Sequence, residues 1–312
     1  MKVLLFTHKI DIDGMGCAVL GKLAFEDINI VYCDTFEINQ HVQRFIDDAS
    51  IYDYDKVYIT DLCIKQPLLG EIDNNDLLKE KFQILDHHKS EIDEGNANYS
   101  FSKIIVNNDE GKCSGTSLFY EYLLNNNYLF PNPSINLFVE LTRQYDTWEW
   151  KTIYNNEAAN DLNISFVMMG LNDYVETMFC KLKNEEEIFD DSLKHNIYDY
   201  KTQLFNDCKN HISTMKTIML KGFIIGVIDG VEDRCKNDIA EILKIERYKI
   251  DFVAMLISER NTISFRSVKP DIDVGKFAAM YGGKGHKEAG SCKQTKEILK
   301  DLQVRKNKVV IE

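Results

Sequence analysis

The sequence predicts an α/β protein with an N-terminal doubly wound parallel-sheet domain, a helical linker and a smaller C-terminal α/β domain with a mixed sheet. Three observations predict it. Short apolar runs alternate with helical periodicity at the start of the chain; a long, charge-laced helical stretch follows; and strand-like runs then return and close on a glycine-rich turn at 282–290.

Taken in order, apolar runs at 3–6, 28–33, 56–60 and 82–85 alternate with helical patterns at 15–25, 41–48 and roughly 66–79. Strands joined through helices are joined by crossovers, and crossovers give a parallel sheet. A further strand at 103–106 leads to a helix beginning near Ser114, a capping residue type, with Leu118, Phe119, Tyr122 and Leu123 as its apolar positions. Another helix, 135–145, ends at Asp146. From 184 to 216, Ile188, Leu193, Ile197, Tyr200, Leu204 and Ile212 recur at helical spacing, which reads as an interdomain helix. Strands at 222–228, 250–257 and 262–268 and a short helix at 274–280 make up the rest. The expected domains are therefore 1–183 and 217–312, with the linker at 184–216.

With 312 residues, 44% of them hydrophobic, the chain can bury a sizeable core and is long for one domain. No apolar run approaches the length of a bilayer span, and the N-terminus enters a strand directly, so a cytoplasmic protein with no membrane partner is expected. Eight cysteines are scattered without a Cys-x-x-Cys pair, which argues against a zinc knuckle and a disulfide framework and leaves them as small buried hydrophobes. The net charge of −13 is uneven: residues 211–312 carry 19 Lys and Arg against 14 Asp and Glu, and the first 210 carry 18 against 36. Cations bound in the acidic part would reverse its field, and the mildly basic part suits a substrate phosphate.

Chemistry concentrates where the strands end. Asp86, His87 and His88 follow the run 82–85, His8, Asp11 and Asp13 follow the first strand, and Asp61 follows the third. A lone Asp after a strand is usually a cap or turn residue. Here four of seven histidines, His8, His87, His88 and His286, fall in a few such segments, and that concurrence favours a metal site at the carboxyl edge of the sheet. Gly14 and Gly16 permit a tight path after His8, and an extended loop there would let Asp11 and Asp13 serve neighbouring cations. Carboxylates with imidazole and no thiolate suit Mn²⁺, or Mg²⁺ as a weaker fit, and Asp61, between the two groups, is the natural bridge. In the C-terminal part, Gly283 and Gly285 would let backbone N–H groups approach an anion, with Lys284, His286 and Arg266 beside them. Core packing is the role expected of Trp148 and Trp150, ahead of base stacking, and a simple helix cap that of Ser114-Gly115-Thr116, ahead of contact with the site from a helix N-terminus.

The ordered set His8-x-x-Asp11-x-Asp13-Gly14, Thr60-Asp61, Asp86-His87-His88 and Tyr145-Asp146-Thr147-Trp148 resembles the DHH phosphoesterase superfamily. Arg266 and Gly282-Gly283-Lys284-Gly285-His286 resemble the glycine-rich signature of its first type of associated domain. The resemblance implies one metal on His8, Asp11 and Asp61, and a second on Asp13, Asp61, His87 and Asp146. It also implies that Asp86 supports the ligands, that His88 contacts the substrate phosphate, and that the C-terminal part grips a nucleotide end. Two departures stand out: two residues separate His8 from Asp11 where one or three are common, and Lys284 replaces the middle glycine of a triplet.

The segments 13–17 and 145–148 look like the branch of small oligoribonucleases. The expected function is accordingly a two-metal exonuclease of short single-stranded RNA, with room for a homodimer. A phosphodiesterase of cyclic dinucleotides or their linear products is the near alternative. A pyrophosphatase or exopolyphosphatase lacks such a C-terminal turn, and a non-catalytic nucleotide sensor would not need the full ligand set.

Overall fold

The fold is described for residues 1–109 and 111–304 of a computed structural model. The chain divides into two compact units, residues 1–197 and the residues from 198 on.

The first unit is built on five parallel strands, β1 (Lys2–His8), β2 (Asp27–Cys33), β3 (Lys56–Thr60), β4 (Phe82–Asp86) and β5 (Ser102–Ile104), in the order β2-β1-β3-β4-β5. Crossovers are supplied by α1 (Ile12–Ala24), α2 (Ile38–Asp47), the pair α3 (Leu68–Asp73) and α4 (Asp76–Lys81), and the short α5 (Lys89–Asp93). Both faces of a doubly wound sheet are covered, so its strands read as continuous apolar runs. Leu4, Phe6, Val57, Ile59 and Ile84 face a core shared with Ile38, Val42, Leu68 and Ile72. On the opposite face Tyr58 packs against Phe119, 5.4 Å between ring centres, and Gly21 lets α1 settle on Leu5 and Ile28.

A hairpin of two-residue strands, β6 (Asn107–Asn108) and β7 (Gly111–Lys112), leads to α6 (Gly115–Asn125), α7 (Pro133–Asp146), a π-helical turn at Trp150–Tyr154, α8 (Glu157–Met169) and α9 (Leu171–Lys183). The long α10 (Asp191–Ser213) runs through the expected linker, and the division between the units falls inside it.

Some expectations need correcting. The helix expected at 66–79 is two helices, because Asn75 leaves helical geometry and its side chain accepts the N–H of Leu78 at 3.3 Å to cap α4. The first helix starts at Ile12 rather than 15, with Asp11 as its cap, so Asp13 lies in a helical turn and not in an extended loop. Of the cysteines, seven are buried, but Cys180 is exposed on α9. Helices α8 and α9 were not anticipated.

The second unit carries β8 (Lys216–Leu220), β9 (Phe223–Ile228), α11 (Lys236–Ile245), β10 (Phe252–Ile257), β11 (Thr262–Ser267), α12 (Val274–Ala279), β12 (Lys284–Gly285), β13 (Ala289–Lys293) and α13 (Lys296–Asp301). Its sheet, β12-β13-β11-β10-β9-β8, is mixed, with β9 and β10 parallel and the other pairs antiparallel. Phe252, Phe265 and Phe277 form its aromatic centre. Among the described residues no helix is long and apolar enough to cross a membrane.

Candidate metal centre

The strand order of the first sheet reverses between β1 and β3, and a crevice opens at the carboxyl ends of strands where such an order reverses. His8 ends β1, Asp61 follows β3, and Asp86 ends β4, with Thr7 aligned to Thr60 and Thr60 to Leu85. The parallel register therefore brings the three strand ends level. A buried hydroxyl chain braces them: Thr60 Oγ1 donates to Thr7 Oγ1 at 3.0 Å, and Thr7 Oγ1 donates to the Gly14 carbonyl at 2.9 Å. Gly14 has no substitute there, since a Cβ would lie 2.1 Å from the His8 carbonyl oxygen.

Two groups of side chains meet at this edge. In one, His8 Nδ1 lies 2.5 Å from Asp11 Oδ2 and 3.4 Å from Asp61 Oδ2. In the other, His87 Nε2 lies 3.3 Å from Asp61 Oδ1, 3.5 Å from Asp146 Oδ2 and 3.7 Å from Asp13 Oδ2. Asp61 turns one oxygen to each group. It does so from left-handed backbone, φ 56°, a conformation that aspartate reaches more readily than most residues. Asp86 accepts the His87 backbone N–H at 2.8 Å and pairs with His88 Nδ1 at 2.7 Å, so it orients the histidines from below. His88 is half-exposed.

Among the described residues, both ring nitrogens of His8, His87 Nε2, Asp61 Oδ2 and Asp146 Oδ2 are buried without an aligned hydrogen-bond partner. His8 and Asp11 are close but misaligned. Buried polar atoms are nearly always paired, and a cluster of unpaired donors and carboxylates is what a site for cations presents. The ligand-capable atoms of His8, Asp11 and Asp61, and of Asp13, His87 and Asp146, fall within 4.8 Å of one another, as do those of Asp61, Asp86, His87 and His88.

Crowding moves the titrations. Burial, then the charges of Asp13 and Asp11, push Asp61 well above the usual carboxylate range. Burial and Asp13 raise Asp146 to about 7 against the pull of His87. Burial lowers His8, but the close carboxylates of Asp11 and Asp61 outweigh it and leave the imidazole at about 10. The hydrogen bond to Asp86 raises His88.

Two participants go beyond the expectations from sequence. Asp34, directly after β2, places Oδ1 3.8 Å from His8 Nε2; it follows a strand just as Asp61 does, and that was the available signal. The N-terminus of α6 is more than a cap. Ser114 caps it in a reciprocal box with Ser117, while the backbone N–H groups of Gly115 and Thr116 hold the Asp13 carboxylate at 2.6 and 2.9 Å. Core packing fits Trp150, which is buried and stacked on Tyr145, but not Trp148, which is 47% exposed.

The remaining residues lie in the second unit. Arg266, on β11, sits opposite Ala289 of β13. Its Nε donates to Asn237 Oδ1 at 3.0 Å, and one terminal nitrogen donates to Ser264 Oγ and the Phe265 carbonyl, both at 2.9 Å. Lys284, Gly285 and His286 form the β12–β13 hairpin and its loop, with Lys284 and His286 exposed. The glycines have a packing reason: a Cβ on Gly283 would lie 2.2 Å from the Ser291 carbonyl oxygen, and one on Gly285 would lie 2.3 Å from Gly290 Cα. The N–H groups of Gly283 and His286 already donate to Ala278 and Ala289. Close strand packing thus requires these glycines whether or not an anion approaches their backbone.

Comparison with known proteins places this geometry. Residues 2–141 match the N-terminal domain of the DHH family. Oligoribonuclease NrnB of Bacillus subtilis is 29% identical over 307 residues, covering 94% of this chain and 73% of that protein. Among solved structures, the pGpG-specific phosphodiesterase PggH of Vibrio cholerae aligns over 97% of this chain and 96% of its own at 16% identity and TM-score 0.55. Exonuclease RecJ bound to manganese aligns over 97% and 88% at 13% identity and TM-score 0.53. At such identities the structural matches speak for the fold alone, whereas the family match falls on the segment that carries His8, Asp11, Asp13, Asp61, His87 and His88. Residues 2–141 are thus a DHH-family N-terminal domain, in a chain similar along 94% of its length to an oligoribonuclease.

Proposed function

We propose that the protein is a metal-dependent phosphodiesterase that hydrolyses short single-stranded RNA to mononucleotides with two divalent cations, manganese preferred. One observation carries the reading: six His and Asp side chains converge from strand and helix ends, and buried atoms of four of them, His8, Asp61, His87 and Asp146, have no hydrogen-bond partner among the described residues. Similarity to an oligoribonuclease over 94% of the chain supports the substrate class.

In this reading His8, Asp11 and Asp61 hold one cation, and Asp13, Asp61, His87 and Asp146 hold the other. The donors are carboxylate oxygens and imidazole nitrogens, a set that suits Mn²⁺ better than Mg²⁺. Cys17, nearby, stays a neutral thiol because burial and Asp13 push its pKa far up. Bound there, two divalent cations supply Lewis acidity for phosphoryl oxygens and acidify water near neutral pH.

The chain's own groups do the rest. Asp86 fixes His88 and favours its imidazolium, whose Nδ1–H donates to the carboxylate. The Nε2–H is then left to steady a phosphate oxygen or to protonate the leaving oxygen. Arg266, Lys284 and His286, with the turn at Gly283 and Gly285, bind the nucleotide's terminal phosphate. Arg266 has donors to spare, because its partners are neutral oxygens rather than a carboxylate.

The test is a chromatographic digest of a labelled short RNA, the matching DNA and a cyclic dinucleotide, each with Mn²⁺ and with chelator. Mononucleotides should appear fastest from RNA and only with metal. Undiminished hydrolysis in chelator would defeat the metal role, and faster cleavage of the cyclic dinucleotide would reassign the substrate.

A further inference from the structure

We propose that Trp148 is the nucleobase-stacking residue of the site, the group that selects nucleotides over simple phosphate diesters; this rests on the phosphodiesterase reading above. Trp148 stands two residues beyond Asp146, whose Oδ2 is 3.5 Å from His87 Nε2. The ring therefore belongs to the same short segment as a proposed cation ligand.

The backbone singles the residue out. Helix α7 ends at Asp146, and Trp148 then takes left-handed geometry, φ 64°, where a bulky side chain is an outlier. Glycine or asparagine would make the same helix stop at less cost. The conformation is held from both sides: the Trp148 N–H donates to the Tyr145 carbonyl at 3.1 Å, and its own carbonyl accepts the N–H and Oγ1 of Thr152 at 3.3 and 3.0 Å. A π-helical turn, Trp150–Tyr154, follows at once, and such turns gather at functional sites. Strain of this kind persists only where the surroundings impose it, and it marks sites that need a side chain in one place.

The ring is set for stacking rather than for packing. Tyr145 and Trp150 lie parallel to each other at 14°, and Trp148 stands across them at 63° and 75°, which fixes its plane without covering it by a parallel ring. It stays 47% exposed although its neighbour Trp150 is buried. Lys151 Nζ lies over the ring, 6.0 Å from its centre, so a cation stands on one face at the far limit of a cation–π contact, where the phosphate of a stacked nucleotide can meet it. Stacking of this type accepts every base, so nucleotide selection without sequence preference is expected.

Two measurements decide it. The first compares a dinucleotide with an abasic dinucleotide diester as substrates. Trp148→Asn keeps the left-handed backbone, and it should lower kcat/KM about ten-fold or more on the dinucleotide while sparing the abasic diester; Trp148→Phe should retain most activity on both. Equal losses on the two substrates, or none, overturn the proposal. The second uses the fact that the chain has two tryptophans. AMP should quench wild-type emission, ribose 5-phosphate should not, and the quenching should vanish in Trp148→Phe. Quenching retained there, or absent from the wild type, also overturns the proposal. The binding signal stands apart from turnover: a wild type that is quenched by AMP yet cleaves no diester sinks the phosphodiesterase reading and leaves the stacking role intact. Should Trp148→Asn fail to fold, the emission of the wild type and of Trp148→Phe still decides between the two outcomes.

Discussion

The carboxylate of Asp13 accepts the backbone N–H of Gly115 at 2.6 Å across 102 residues of sequence. With Thr116 beside it, the first turn of α6 neutralises a buried anion through its dipole and its unsatisfied N–H groups. The same turn presses on the other ligand group. A Cβ on Gly115 would lie 2.7 Å from Asp61 Cβ and 2.9 Å from its Cα and N, all of them parts that cannot swing away. Gly115→Ala must therefore move Asp61, and small misplacements of a reacting centre cost on the order of 100-fold in rate. The expected result is a folded protein by circular dichroism with most hydrolysis lost. Ser114→Ala is the contrast: it removes a cap, costs about 1 kcal/mol of stability and should leave the rate nearly intact. Near-normal turnover in Gly115→Ala would show that Asp61 has slack.

Asp61→Asn separates catalysis from folding. As the carboxylate facing both groups, it has no replacement as a shared ligand, so hydrolysis with Mn²⁺ should fall by several orders of magnitude. In the chelated protein the neutral amide relieves repulsion from Asp13 and Asp11, and the melting temperature should rise. A lower melting temperature in chelator would mean that Asp61 is held by the fold and not strained by its neighbours.

The sheet and the gathering of His8, Asp61 and Asp86 at its edge were legible because both are written at strand ends. The parallel alternation gave the order of elements, and the first, third and fourth apolar runs lead directly to His8, Asp61 and Asp86. Helix α8 was not legible: its apolar residues Ile164, Phe166, Val167 and Met169 crowd one end, leaving no clean stripe to read. Nor was the grip of Gly115 on Asp13, because local pattern carries nothing about a contact made across the fold. The glycine-rich turn reads two ways in sequence. Glycine allows close approach of backbone to an anion and of backbone to backbone alike, and Gly283 and Gly285 do the second.

Arg266 and His286 belong to the second unit, apart in sequence from the cation ligands. If they hold only the nucleotide end, Arg266→Ala and His286→Ala should cripple cleavage of oligonucleotides in kcat as well as KM, since remote binding orients the reacting phosphate. Slow hydrolysis of bis-p-nitrophenyl phosphate should largely survive. Parallel assays of both substrates settle the point: equal losses would place these residues at the reacting phosphate, and unchanged rates on both would make the turn purely structural.

The pH dependence of stability gives a test that needs no substrate. Burial and the charge of Asp13 raise Asp61 well up and Asp146 to about 7, so the folded chain binds protons that the unfolded chain releases near pH 3.9 or so. Each group therefore costs stability as pH climbs above about 4. His8 runs the same way: burial lowers it, Asp11 and Asp61 raise it further to about 10, and the stabilisation from its imidazolium is full below about 6.5 and lost as pH rises toward about 10. Asp11, whose pKa is lowered against its burial by His8, has the opposite sign, but its effect is confined to below about 4. The chelated protein should accordingly lose melting temperature steadily from about pH 5 to about pH 8. Cations need the ligands deprotonated and bind the folded state, so the gain on adding Mn²⁺ should be small at the acid end and largest at the alkaline end. Thermal melts in chelator and in Mn²⁺ across this range make the comparison. A gain independent of pH, or a chelated protein that grows more stable toward pH 8, would mean that these carboxylates and His8 do not form one cluster of cation ligands.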